Sequence, residues 1–495
     1  MKKKTVFYLL LFTIFKPFCQ EKVLELPKVF ANKCQSDKES YSIPNQENGD
    51  LMLLLEENKK FYSYLLNSKY LQKSTITTKT LPSKYRSILG YSVNNNTYAI
   101  FFANSRNTKF GIQTFNFDTK SSTNVFLDFK IKGEKYVESV NYKNKIHLIT
   151  ISKNSSELNI YTFDNKYQPQ KKVISLKQVE YQNPSDQYHT INAHYLLTSD
   201  SDGFTISVEK IESRNPNVIE TTSKLTKLYL LENQLIFSFD YDKKETKLCI
   251  IDLDTFLFTY KVFDKPSKTE KGFTGSNSYI YDNKIFQIAS SSQKMKFTIS
   301  DIISNNTIKE YAIKKEDSIT FKNSPIIQEG GTSFFSFSNN DRVREMEKTG
   351  KYLRKISNSN LGISTYKVND QYNIILGGTK EIYSGGGNFA PGFGSGFGAI
   401  GTVGNLNAIS INFNPTFYGY NGYRSNKSTY INCLFDHDFE HLQGDIPKNI
   451  YDKVNEFEDT LKKPSAINIF LHNHKIHYGF FDKTDKMYKL YRFED

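Results

Sequence analysis

Five of the eight histidines lie near the C-terminus: His437, His441, His472, His474 and His477. Imidazole ligates metals and carries protons near neutral pH, so this cluster is the first place to look for chemistry. The stretch DHDFEHLQGD adds Asp436, Asp438 and Glu440. His437 and His441 are four residues apart, and on a helix they would share a face and could chelate zinc. The residue after His437 is Asp438, so the H-E-x-x-H arrangement is absent. His472 and His474 flank Asn473 at what reads as a hairpin bend, which predicts exposed tips. Solvated loop histidines are the expectation, and no metal is assigned.

Two other stretches invite a chemical reading. Gly396–Gly401, GFGAIG, has the form G-x-G-x-x-G. A dinucleotide site needs a strand before it, a helix after it and an acid about 20 residues on. Asn405–Asn414 is instead strand-like and rich in asparagine, so the glycines read as a loop inserted in a larger unit, and no cofactor is assigned. Next comes PTFYGYNGYRSNKSTY, with Tyr418, Tyr420 and Tyr423 set among glycine and asparagine. Exposed tyrosines bring large contact area at low entropic cost, and they stack on sugar faces or anchor protein partners. These three are the candidate binding residues, expected on the surface at a rim. No G-x-S-x-G, no P-loop and no CxxC occurs, and the acid pair Glu56-Glu57 reads as part of a solvated turn. No catalytic residue is assigned.

The elements that must position these groups are strands. Asn141–Ser152, NYKNKIHLITIS, reads as a bend followed by a β-rich run, and relatives of it occur at 94–103, 232–239 and 281–289. Anchoring bends fall at Asn96, Asn144, Asn233 and Asn283, a period of about 45 residues with a double interval after Asn144, within the range of four-stranded propeller blades. Units are legible at Tyr91–Phe129, Tyr136–Leu176, Leu228–Phe263 and Ser278–Ile313. Short turns with no helices between strands argue against βαβ architecture. On these residues the chain resembles β-propeller proteins, in particular divergent exported ones of the Bacteroidetes type. A kelch-like double glycine, Gly377-Gly378, occurs without that family's Trp, so no named family and no functional residues carry over.

The expected fold is all-β: a propeller of seven or eight four-stranded blades, seven preferred. It carries the Gly/Tyr-rich insertion at 384–430 and one short C-terminal helix over Tyr451–Leu461, started by Asp445 or Pro447. Ile467–Leu471, Lys475–Phe481 and Met487–Phe493 give most of a last blade, and Leu51–Leu55 is the expected strand that completes it. The expected domains are a signal peptide at 1–19, a polar arm at 20–50 and the propeller at 51–495.

Lys2, Lys3 and Lys4 precede the apolar run Val6–Phe15, which is about ten residues and too short to span a bilayer. This reads as a cleaved leader ending before Gln20, with lipid attachment at Cys19 as the alternative. The mature protein is expected to be secreted or held in the cell envelope, with no transmembrane segment. The net charge is +13, but its lysines are scattered through turns rather than massed in a run, so no nucleic-acid partner is expected. Cys34, Cys249 and Cys433 permit one bridge at most, and Cys249 in KLCIID reads as a buried apolar residue. The expected function is non-enzymatic binding of a protein or glycan through rim loops. The alternative is a propeller hydrolase or lyase acting on an extracellular polymer.

Overall fold

The computed structural model of the chain describes residues 20–27, 29–30, 38–85, 87–183, 186–198, 208–329, 343–380, 414–424 and 428–494. These form seven sheets of four or five strands, antiparallel except for one pair, and one two-stranded sheet. Blade 1 comprises Lys38–Pro44, Leu51–Glu57, Lys60–Leu66 and Gln72–Lys79. Blade 2 comprises Ser87–Asn94, Thr97–Ala103, Phe110–Asn116 and Ser121–Leu127. Blade 3 comprises Glu134–Tyr142, Lys145–Ser152, Glu157–Phe163 and Pro169–Ser175. Blade 4 comprises Thr226–Leu231, Gln234–Phe239, Glu245–Asp252 and Phe258–Asp264, and blade 5 comprises Gly275–Tyr281, Lys284–Ser290, Lys294–Asp301 and Thr307–Lys314. Blade 6 runs Asn360–Val368, Gln371–Thr379 and Ser428–Phe435, then Ile326–Glu329 and Val343–Met346 on its outer side. Blade 7 is Ser465–His472, Lys475–Asp482 and Met487–Phe493. Among the described residues six short α-helices accompany the sheets: α1 (Ala193–Leu197), α2 (Ile219–Thr222), α3 (Pro266–Thr269), α4 (Thr349–Ile356), α5 (Pro415–Arg424) and α6 (Ile450–Asp459).

The described residues form a seven-bladed β-propeller, and the packing shows why the strands read as nearly continuous apolar runs. In Leu51–Leu55, alternate residues go to opposite neighbours. Leu51, Leu53 and Leu55 pack with Phe470 and Phe481 of blade 7. Met52 and Leu54 pack with Ile88 and Tyr98 of blade 2. The same bilateral burial continues round the ring to blade 6, whose Tyr366 and Val368 meet Ile469 and Tyr478 of blade 7. Fourth strands, such as Pro169–Ser175, are mostly exposed and mark the outer edge. First strands of neighbouring blades meet at the axis, where side chains of one bond the backbone of the next. Ser139 Oγ donates to Leu89 O at 2.5 Å, Ser40 Oγ to Ala466 O at 2.7 Å and Asn277 Nδ2 to Leu361 O at 2.6 Å.

The turns obey a local rule. The bends joining first to second strands carry left-handed residues: Asn95, Lys143 with Asn144, Glu232, Asp282 with Asn283. The turns joining third to fourth strands are each held by an Asp or Asn whose carboxyl or amide oxygen accepts two backbone N–H groups. Asp164 does this at 2.8 Å from Lys166 and Gln168, and Asp301 at 3.0 Å from Ile303 and 2.7 Å from Ser304. Asn67, Asn116 and Asp252 act in the same way in their own blades, and Asp436 holds the turn that leaves the third strand of blade 6.

Several expectations change. The residues 20–50 are not an arm, because Gln20–Pro27 pairs antiparallel with Met487–Phe493 and Lys38–Pro44 opens blade 1. Ring closure is therefore made by Gln20–Pro27, whereas Leu51–Leu55 is an inner strand of blade 1 that only packs on blade 7. Among its described residues, the double interval after Asn144 contains no blade. Residues 176–225 hold a two-stranded sheet (Tyr181–Asn183 with Asp186–Ile191), two short helices and a strand that enters the axis. Glu56 and Glu57 belong to a strand: Glu57 is buried against Lys38 at 3.5 Å, and burial together with Glu39 pushes the Glu56 carboxyl up to about 7. Helix α6 does form, but Asn449 starts it through a capping box with Asp452. Gly377 lies inside a strand, where a Cβ would come within 2.4 Å of Thr429 O. The glycine-rich segment through 413 lies outside the described residues, as do Cys19 and Cys34.

If Gln20–Pro27 closes the ring, removing residues 20–27 should lower the melting temperature and broaden the unfolding transition seen by calorimetry. An unchanged, equally sharp transition would count against closure by this strand.

Candidate functional site

The candidate site is the axis, built by an excursion between blades 3 and 4. Glu209–Ile211 pairs in parallel with Thr226–Leu231. A parallel pairing requires a crossover rather than a tight turn. Here the crossover is residues 212–225, with Asn215, Asn217 and Val218 buried and α2 at its end. It packs close on the first strand of blade 6, where a Cβ on Gly362 would lie 2.9 Å from Ile219 O. Helix α5 meets the crossover. Asn215 Nδ2 donates to Thr416 Oγ1 at 3.2 Å, and the Tyr451 hydroxyl donates to Thr416 O at 3.0 Å.

Charged groups gather along this excursion. Lys210 Nζ donates to Ser139 O at 2.8 Å, and Ser139 N donates to Glu138 Oε1 at 2.7 Å. Burial raises the Glu138 carboxyl above its ordinary range, with Lys210 opposing, while burial lowers Lys210 against the pull of Glu138 and Glu212. Glu212 forks onto Arg214 at 2.7 Å to Nε and 2.6 Å to Nη2. Burial pushes Glu212 up, but the guanidinium prevails and holds it below the usual carboxylate range. Arg214 itself keeps 60% of its side chain exposed. Burial drives Glu209 up to about 7, against Lys224 and a hydrogen bond from Tyr418. The Glu209 carboxylate, and then burial, hold the Tyr418 phenol well above its ordinary value. The site thus offers one carboxyl that exchanges its proton near neutrality, one masked carboxylate and one displayed guanidinium. It can hydrogen-bond a hydroxyl-rich or anionic group, and Glu209 could pass a proton to one.

The candidate tyrosines stand on a helix rather than a loop, and they turn inward. Tyr420 is 1% exposed and its hydroxyl donates to Glu458 Oε2 at 2.7 Å. Tyr423 is half-buried and donates to Asp452 Oδ1 at 2.6 Å. The expected exposed rim patch at Tyr418, Tyr420 and Tyr423 is therefore not formed: an amphipathic segment beside α6 buries its rings in the seam between blades 6 and 7. Only Tyr418 reaches the axial cluster.

The histidines separate. His437 is exposed beside Asp438, and His441 bonds Asn323 Oδ1 at 3.1 Å from a non-helical turn. His474 is exposed as expected, but His472 is 2% exposed and His477 fully buried. His477 Nε2 lies 2.6 Å from the Tyr70 hydroxyl, which joins blade 7 to blade 1. Among the described residues no three His, Cys, Asp or Glu side chains gather in a metal-holding group. Cys249 and Cys433 are free, buried thiols in different blades. Sequence reasoning missed Glu209, Lys210, Glu212 and Arg214. Their only signal was EKIESR, a charged run inside the interval that should have held a blade.

No protein-family model matches the chain, and no curated protein matches it in sequence. Solved structures with partial likeness include an ACO/RPE65 chimera, at 7% identity and a TM-score of 0.29, covering 58% of this chain and 64% of the chimera. An uncharacterized protein of Listeria monocytogenes shares 11% identity at a TM-score of 0.26, covering 69% of this chain and 80% of its own. The Dos1 propeller shares 8% identity at 0.25, covering 89% and 75%. The chain thus spans less than two thirds of the chimera, and the propeller assignment rests on its own sheet order and ring packing.

Burial pushes His472 down to about 4 and His477 down to about 3 from an ordinary 6.5. Both are then neutral when folded and bind protons more readily when unfolded. Stability should therefore fall as pH drops from about 6.5 through about 4. Urea unfolding across that window should show the loss, and His477→Gln should flatten its slope. A slope unchanged by the substitution would overturn the assignment.

Proposed function

We propose that the chain is an exported, non-enzymatic propeller that binds a glycan or protein partner, with the axial mouth at Arg214 as the contact. One observation carries this reading: the Glu212 carboxylate fixes Arg214 in a two-pronged fork while the arginine side chain stays largely exposed. A guanidinium fixed in this way favours planar or anionic groups of a partner. Export rests on the leader-like N-terminus. Tyr418 serves here by fixing Glu209, and Tyr420 and Tyr423 by seating α5. The alternative, a hydrolase or lyase, keeps one specific support, the near-neutral Glu209 carboxyl beside Tyr418.

Purified full-length chain should bind members of a glycan array, and Arg214→Ser should weaken the strongest of these roughly tenfold, the loss of about one charge-assisted contact. The bound glycan should be recovered intact. New reducing or unsaturated ends that vanish with Glu209→Gln would establish the enzyme instead. Binding indifferent to Arg214→Ser would remove the axial mouth from the reading.

A further inference from the structure

The two faces of the ring differ in charge, and the blade repeat is the reason. Turns from first to second and from third to fourth strands open on one face. Turns from second to third strands and the connections between blades open on the other. The first face carries turn acids, among them Asp118, Asp164, Asp254, Asp370 and Asp438, because the residues that hold or enter those turns are Asp or Asn. The second face is rich in cations, as at Arg106 with Lys109 and at Lys243 with Lys244, although Asp242 and Asp482 each accept a turn N–H there too.

Two places on the second face concentrate unpaired charge. In blades 5 and 6, α4 buries Tyr352, Leu353 and Ile356 and turns Lys351, Arg354 and Lys355 outward. Lys355 feels Arg344, Arg354 and Lys380, and burial with this repulsion lowers its pKa. In blade 7, Lys462 and Lys463 from the connection after α6 line a shallow cleft with Lys483 from the turn opposite. None of these six cations has an acidic partner among the described residues, whereas Lys489 beside them pairs with Asp482 at 2.8 Å and Asp485 at 2.5 Å. Like charges left together without counter-charges cost the folded state, and a polyanion would relieve that repulsion.

We propose that this basic face docks an acidic glycan, a chain bearing spaced carboxylates or sulfate esters. The inference deepens the glycan arm of the proposed function. Separate clusters of lysine ammoniums suit charges spaced along a chain, and the Tyr420 and Tyr423 rings, candidates for stacking on bases, are turned inward.

The test is binding of the full chain to polygalacturonate, with neutral dextran, duplex DNA and anionic phosphatidylglycerol vesicles as comparators. Binding to polygalacturonate should fall steeply with salt. Reversing Lys462, Lys463 and Lys483 to Glu, or Lys351, Arg354 and Lys355 to Glu, should weaken it at least about tenfold, as loss of several ion pairs does. Reversing Lys120 and Lys166 on the acidic face should change it by less than about twofold. The single variant Arg354→Glu, with melting followed by circular dichroism, guards against a misfolded triple variant. No binding to polygalacturonate, binding confined to DNA or vesicles, or equal loss from the acidic-face variant would overturn the proposal. Loss with Arg214→Ser and none with basic-face reversal would overturn it while leaving the axial reading in place.

Discussion

In six of the seven blades the first strand has a neighbour on one side only, and this inner edge is the constraint on which the ring depends. An unpaired row of buried backbone groups is costly, and an edge left open also recruits foreign strands. Here the edge of one blade is satisfied by short polar side chains of the next. Ser139 and Asn141 of blade 3 bond Leu89 O and Tyr91 O of blade 2, and Ser40 of blade 1 bonds Ala466 O of blade 7. Between blades 5 and 6, Asn277 bonds Leu361 O. Serine and asparagine at these positions set how closely blades approach, and so the radius of the axis.

Blade 4 solves the same problem differently. Its inner edge is covered by Glu209–Ile211 in parallel register, which brings residues 212–225 into the axis. Beside it, Lys227 and Lys265, both fully buried, each lie 3.0 Å from Asp240. Burial raises Asp240 and lowers Lys227, yet the two ammoniums prevail and hold the Asp240 carboxyl well below the usual carboxylate range. Ser278 of blade 5 also donates to that carboxylate at 2.8 Å. A buried charge network of this kind is costly to break rather than a large net stabiliser, and it ties the covered edge to the next blade. The polar axis and the polar seam thus share one origin, the edge that the crossover strand covers.

Closure works at the opposite side of the sheet. In blade 7 the outermost strand comes from Gln20–Pro27, so the two ends of the described chain are bonded together. The apolar faces of Leu26 and Tyr488 enter the same cluster as Leu51 and Leu53 of blade 1. Closure by backbone pairing and closure by side-chain packing therefore reinforce each other at one seam, where His472, His477 and Tyr70 are buried.

What the sequence determined by itself is local. Two-residue bends with asparagine, alternating apolar runs and the Asp or Asn that holds each outer turn act within a few residues, so their period showed the repeat and the fold class. The helix at Ile450–Asp459 was legible for the same reason, because the apolar stripe Ile450, Val454, Phe457 and Leu461 and the Pro464 that follows it lie within one segment. What only the tertiary structure decided depends on partners far apart in the chain. Gln20–Pro27 is polar and short, and nothing local says that it pairs with residues more than four hundred positions away. Tyr420 and His472 look like loop and tip residues until α6 and Tyr70 are placed against them. The run Glu209–Arg214 carries no repeat signal because it belongs to no blade, and its charges acquire meaning only where Glu138, Ser139 and Tyr418 converge on the axis.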